Sequence, residues 1–191
     1  MTEKILVIKL GALGDMVQAM GPFGAIRKHH AGAKITLLTT KPYVEMAQLT
    51  GLFDRVWIDR KPRALALGGW LKLRRQLRSG KFDRVYDLQT SDRSSTYLRL
   101  FWPRVSPEWS GIAFGCSHPH GNPKRDFMHT IERQADQLEM AGVPSKWDAN
   151  FIPSLEGLDG PVERFDLGEK FALLVPGGAA HRPEKRWPRD N

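Results

Sequence analysis

The strongest constraint on the fold is a repeated alternation: a short β-branched apolar run, a turn, then apolar residues at helical spacing. Lys4-Ile-Leu-Val-Ile-Lys-Leu10 ends at Gly11, and Met16, Ala19, Met20, Phe23 and Ile26 recur behind it at helical spacing. A short apolar run without in-out alternation reads as a strand of a parallel sheet covered on both faces. The unit then repeats. Lys34–Thr39 precedes a short helix over Pro42–Leu49, Asp54–Ile58 precedes a helix from Leu65 to about Arg78, and Phe82–Leu88 precedes one over Ser94–Phe101. Glu108–Phe114 is a fifth strand, Gly115–Asp126 a loop rich in Gly, Pro, His and basic residues, and His129–Ala141 a last helix. Gly142 suits the left-handed position after that helix, and Pro144 stops it.

Two local expectations follow. Pro22 bends the first helix or removes one of its hydrogen bonds. In the helix from Leu65, the spacing sends Leu67, Trp70, Leu71 and Leu77 to the core and leaves Lys72, Arg74, Arg75 and Arg78 in water. Strands alternating with helices predict an α/β fold, a Rossmann-like, mostly parallel sheet with helices on both faces. Residues 154–168 read as a connector containing Gly and Pro. Phe171-Ala-Leu-Leu-Val175 opens a new strand with no helix after it, so the expected division is a domain over 1–165 and the start of a truncated second domain over 166–191.

Composition narrows the class. Hydrophobic residues make up 41%, enough for a packed core, and no apolar run reaches the ~20 residues that span a bilayer. MTEK leads straight into a strand without the leader pattern of a secreted chain, and Cys116 is the sole cysteine. A cytoplasmic protein with no metal site and no cofactor is expected. The net charge of +8 favours an anionic partner: nucleic acid, an acidic membrane surface or a phosphorylated substrate.

Three segments should meet at the carboxyl ends of the strands, where open α/β sheets place their sites. The first is Leu10-Gly-Ala-Leu-Gly-Asp15, with Gly14 beside the acid. Asp15 falls at a helix start, where a carboxylate caps backbone N–H groups; it could also face the cleft and take a proton from an attacking hydroxyl. The pattern alone favours the cap. Neither G-x-G-x-x-G nor a P-loop is present, because Leu13 and Met16 are not glycine and no Gly-Lys-Ser/Thr follows. The second segment is Tyr86-Asp-Leu-Gln89 with Ser91, Asp92 and Arg93. Gln89 can hydrogen-bond a sugar hydroxyl and Arg93 can hold an anion, while Ser91 or Asp92 suits a helix cap. The third is Val175-Pro-Gly-Gly-Ala-Ala-His-Arg-Pro-Glu-Lys-Arg-Trp-Pro188. Gly177 and Gly178 would let backbone approach phosphate oxygens, and Lys185 and Arg186 would stabilise a departing diphosphate. A solvated basic loop with Trp187 as an anchor is the competing reading.

Together, Ile5-Leu-Val-Ile-Lys-Leu-Gly-Ala-Leu-Gly-Asp15, the Phe82–Gln89 strand and Pro183-Glu-Lys-Arg-Trp-Pro188, in this order and separation, resemble the ADP-heptose:lipopolysaccharide heptosyltransferases, glycosyltransferase family 9. The resemblance covers nearly the whole chain. It implies the N-terminal half of a GT-B fold, metal-independent transfer with inversion, an ADP-sugar donor and an anionic lipid-linked saccharide acceptor. It also implies the base role for Asp15, a phosphate contact for Lys185, and a family counterpart for His129, which reads as structural. Arg60, Lys61, Arg63, Arg93, Lys124 and Arg125 are candidates for the anionic acceptor. Peripheral contact with the inner-membrane surface fits such an acceptor.

Two other readings stay open. One is a non-catalytic basic module for nucleic acid or an anionic membrane, although no zinc-finger or aromatic RNA-binding motif is present and nucleic acid is not expected. The other is a relative with a different donor and acceptor.

Overall fold

In the computed structural model, residues 2–103 and 107–144 are described. The apolar runs become strands β1 (Lys4–Ile8), β2 (Lys34–Thr39), β3 (Arg55–Ile58), β4 (Arg84–Asp87) and β5 (Glu108–Gly111), with a two-residue β6 (His118–Pro119). Every pairing is parallel, and the sheet order is β3-β2-β1-β4-β5-β6. The helices are α1 (Leu13–Gln18), α2 (Met20–His29), α3 (Val44–Leu49), α4 (Leu67–Ser79), α5 (Asp92–Thr96) and α6 (Thr130–Met140).

Side chains alternate across a strand, so each strand feeds two cores. Ile5, Val7, Ile35, Leu37 and Tyr86 pack with Met16, Phe23 and Ile26 of α1 and α2, Ala47 of α3 and Leu138 of α6. Leu6, Ile8, Leu38 and Val85 pack on the other face with Leu73 and Leu77 of α4, and with Tyr97, Phe101 and Trp109. The sheet is therefore covered on both faces, as the unbroken apolar runs required. Each such side chain fully buried contributes roughly 1.5–3 kcal/mol.

Several local expectations change. Pro22 does not kink a single helix; the helix divides at Ala19, and Pro22 takes the third position of α2. Proline has no N–H for the Gln18 carbonyl four residues earlier, so the division falls where that bond is missing. In α4 the buried stripe is Leu73 and Leu77 with Trp70 packed beside it, whereas Leu67 and Leu71 are exposed. Arg74 is half-buried, its Nη2 donating to the Trp102 carbonyl at 2.8 Å. The fifth strand stops at Gly111, where a Cβ would crowd Asp87 Cβ at 3.0 Å. The helix expected over Ser94–Phe101 starts earlier, at Asp92, and tightens to a 3-10 turn over Tyr97–Phe101.

The 115–126 loop is anchored rather than loose. Buried His120 and Asn122 both reach Asp136 Oδ2 on α6, at 2.7 and 2.9 Å, and the short β6 extends the sheet. Gly142 adopts φ +78° and Val143 N–H closes on the Leu138 carbonyl at 2.9 Å, as expected for the end of α6. The boundary expected at 165–166 lies outside the described residues.

Candidate functional site

With this order, the chain leaves β1 toward β2 and β3 on one side, then crosses back over α4 to place β4 on the other. The direction of winding reverses between β1 and β4, and the crevice at their carboxyl ends is where such sheets bind ligands. The first two predicted segments end there.

At the end of β1, Gly11 turns the backbone with φ +112°, and any side chain at that position would overlap the Tyr43 ring. The turn is held from both neighbouring strands. Leu10 N–H donates to Gln89 Oε1 at 2.7 Å, and Thr40 Oγ1 donates to the Leu10 carbonyl at 3.1 Å. Gln89 thus positions the β1 turn through its carbonyl oxygen, and its amide nitrogen makes no hydrogen bond among the described residues.

Asp15 is the third residue of α1 and is half-buried. Its Oδ2 accepts the Ala12 N–H at 3.0 Å, the capping contact that the pattern favoured. Ala12 offers no side chain to bind the helix's first amides in return. Asp15 Oδ1 makes no hydrogen bond among the described residues. Leu13 and Val17 on the same short helix are exposed, and Gly14 faces open space.

Behind this turn lie two charges that the sequence reading passed over, Lys9 and Asp87. Both are buried. Lys9 Nζ donates to the Leu88 carbonyl at 3.0 Å. Burial holds its pKa below the usual lysine value, partly offset by the negative charge of Asp15 and of Asp87. Asp87 Oδ1 accepts the Gln89 and Thr90 N–H groups, each at 3.1 Å, while its Oδ2 is buried without a hydrogen-bond partner among the described residues. Burial raises the Asp87 pKa to about 6 against the opposing pull of the Ser94 hydroxyl, those two amides and Lys9. Gln137 of α6 completes the layer, its amide donating to the Asp87 carbonyl at 3.0 Å and to Ser110 Oγ at 3.2 Å. The available signal was position: a charged residue closing each of two adjacent, doubly covered strands.

A second polar cluster forms at the end of β3. Buried Asp59 accepts the Tyr97 hydroxyl at 2.5 Å and the Lys61 N–H at 2.7 Å. Arg93 Nη2 donates to the Pro62 carbonyl at 3.1 Å, and its guanidinium lies over the Trp70 ring at 5.5 Å. Arg93 therefore holds the loop after β3, with its Nη1 buried and without a hydrogen-bond partner among the described residues. Arg60 and Lys61 are exposed on that loop. Ser91 takes the cap of α5, accepting the Ser94 N–H at 3.2 Å. His129 caps α6, accepting the Ile131 N–H at 3.4 Å, in keeping with a structural role.

The structure thus gathers Asp15, Gly14 and Gln89 at one crevice and Arg60, Lys61 and Arg93 at a neighbouring corner. Gly177, Gly178, Lys185 and Arg186 lie outside the described residues. Among the described residues no group of three or more His, Cys, Asp or Glu could hold a metal, and no helix is long and apolar enough to cross a membrane. A surface groove bordered by Glu3, Arg78, Lys81 and Glu108 lies at the amino ends of the strands, away from this crevice.

No family model matches the sequence, and no curated protein is similar to it in sequence. Solved structures are similar in fold. A family 9 glycosyl transferase from Veillonella parvula is 21% identical with a TM-score of 0.62, over 74% of this chain and 41% of its own. E. coli heptosyltransferase WaaC, solved with ADP-2-deoxy-2-fluoro heptose, is 14% identical with a TM-score of 0.58, over 80% of this chain and 52% of its own. E. coli ADP-heptose lps heptosyltransferase II is 20% identical with a TM-score of 0.67, over 97% of this chain and 57% of its own. The chain spans about half the length of these structures, and the Rossmann-like fold built here is one it shares with them.

Proposed function

We propose that the chain is the acceptor-side part of an inverting glycosyltransferase of the heptosyltransferase family, the N-terminal half of a GT-B enzyme, with Asp15 as general base. The observation that carries this reading is the place of Asp15. It is a partly exposed carboxylate at the topological switch point, with one oxygen committed to Ala12 and the other making no hydrogen bond among the described residues. A base must come within hydrogen-bond reach of the hydroxyl it deprotonates, and this oxygen is available for that. The fold likeness to heptosyltransferases supports the same reading.

In the reaction, the acceptor hydroxyl oxygen bonds to the anomeric carbon as the bond from that carbon to the donor's diphosphate oxygen breaks. The hydroxyl proton passes to Asp15, the anomeric centre inverts, and ADP leaves. Lys185 and Arg186 would balance the charge growing on the diphosphate, with the Gly177 and Gly178 amides beside it. The donor is ADP-heptose or a related ADP-sugar, and the acceptor an anionic lipid-linked saccharide held near Gly14, Gln89, Arg60 and Lys61. Arg93 acts by fixing the loop that carries the last two. No metal takes part, and the enzyme works in the cytoplasm against the inner membrane.

The test is ADP release by the full-length protein supplied with ADP-heptose. Release that requires a lipopolysaccharide-core acceptor bears the proposal out. Absence of release with every core acceptor, or acceptor-independent hydrolysis alone, contradicts it.

A further inference from the structure

The positive charge of this chain is not spread evenly. Between Asp59 and Asp83 stand eight of its 29 Lys and Arg residues with no Asp or Glu among them, and the other 21 balance the 21 Asp and Glu. The whole net charge of +8 therefore equals the charge of the stretch between β3 and β4, seven of the eight residues lying on the loop after β3 and α4 and Lys81 following the helix.

That segment also carries an uncovered apolar stripe. Leu65 is 94% exposed, and Leu67 and Leu71, one helical turn apart on α4, are 76% and 60% exposed. The buried side of α4 is Leu73 and Leu77, so the exposed leucines are no part of the core. Lys72 and Arg75 are exposed beside them. The loop is fixed rather than trailing: Trp70 Nε1 donates to the Arg63 carbonyl at 3.1 Å, and Arg93 ties down Pro62. Trp102, also largely exposed, is joined to the same helix through Arg74.

Leucines standing clear of the surface among basic residues, with a tryptophan at the margin, match the requirements of a bilayer interface. The apolar tips enter the acyl boundary while Lys and Arg remain at anionic headgroups. Nucleic acid would use the charge but leaves three exposed leucines without a role.

We propose that the loop after β3 and the outer face of α4 form a docking surface for an anionic phospholipid bilayer. Because α4 begins at the carboxyl edge of the sheet, docking through Leu65 and Leu67 turns the crevice edge toward the lipid. The surface deepens the inner-membrane location proposed above but is argued from charge and exposure, so its failure leaves the glycosyl transfer, read by ADP release, untouched.

Flotation of the 191-residue chain with vesicles tests it without any sugar substrate. Vesicles of phosphatidylcholine with about 30% phosphatidylglycerol should carry the chain up, pure phosphatidylcholine should not, and about 0.5 M salt should weaken the binding. The pair Leu67→Ser and Leu71→Ser should lower binding about tenfold, as should Lys72→Glu with Arg75→Glu, each with an unchanged urea midpoint. No vesicle binding, or binding that neither pair alters, overturns the proposal. So does salt-sensitive duplex DNA binding without vesicle binding, or a dimer in sedimentation that the leucine pair dissociates.

Discussion

Asp87 ends a strand covered on both faces, so its carboxylate has lost its water and receives two amides, the Ser94 hydroxyl and a nearby lysine in exchange. An unfolded aspartate titrates near 3.9, whereas in the fold Asp87 titrates at about 6. Between these values the folded form binds more protons than the unfolded, so this residue's contribution makes stability fall as pH rises from about 4 to about 6 and then level off. Asp54, held low by the Arg27 guanidinium, acts in the opposite sense and at lower pH. The difference between wild type and Asp87→Asn isolates the Asp87 part. Urea unfolding should show the variant gaining on wild type by on the order of 2 kcal/mol between about pH 4.5 and pH 7. An equal difference at both pH values would place the Asp87 titration elsewhere. The capping contact of Asp15 was legible at this scale, because a carboxylate four residues after a glycine turn falls at a helix start, whereas its proposed role as a base comes only from the resemblance. Lys9 and Asp87 were not legible, because each sits inside a run whose neighbours identify it as strand. Their burial follows from which strands become adjacent, which no local spacing reports.

At the scale of elements, α4 separates what periodicity fixes from what it leaves open. Leu67, Trp70, Leu71, Leu73 and Leu77 give two apolar stripes on one helix, and both have helical spacing. Only the sheet face decides between them, and it takes Leu73 and Leu77. Leu77→Ala should therefore cost about 2–5 kcal/mol in chemical unfolding, while Leu71→Ala should change it by less than about 0.5 kcal/mol. The β1–α1 turn is the other element whose form is tightly set. Gly11→Ala places a side chain at φ +112° against the Tyr43 ring and should destabilise the protein by about 2 kcal/mol or more. Adding Tyr43→Ala should return only part of that loss, because the backbone conformation stays unfavourable. Full recovery would assign the whole cost to the ring.

For the whole molecule, the alternation of apolar runs and helical spacing specified the parallel sheet and its two covered faces. Strand order was not written in any one segment. It arises from the crossover through α4, which carries the chain from β3 past β1 to β4 and so creates the crevice between them. At that crevice the turn leading to Asp15 is bonded to Gln89 through the Leu10 N–H, although 79 positions separate Leu10 and Gln89 in the sequence. The proposal that the crevice seats a general base is tested most directly by acceptor-dependent ADP release from the full-length protein carrying Asp15→Asn. The amide can still accept the Ala12 N–H, so the urea midpoint should correspond to a loss of no more than about 1 kcal/mol. The turnover number should fall at least about a hundredfold, as expected when a general base is removed, with acceptor KM little changed. Turnover within a few-fold of wild type would contradict the assignment of Asp15 as the base.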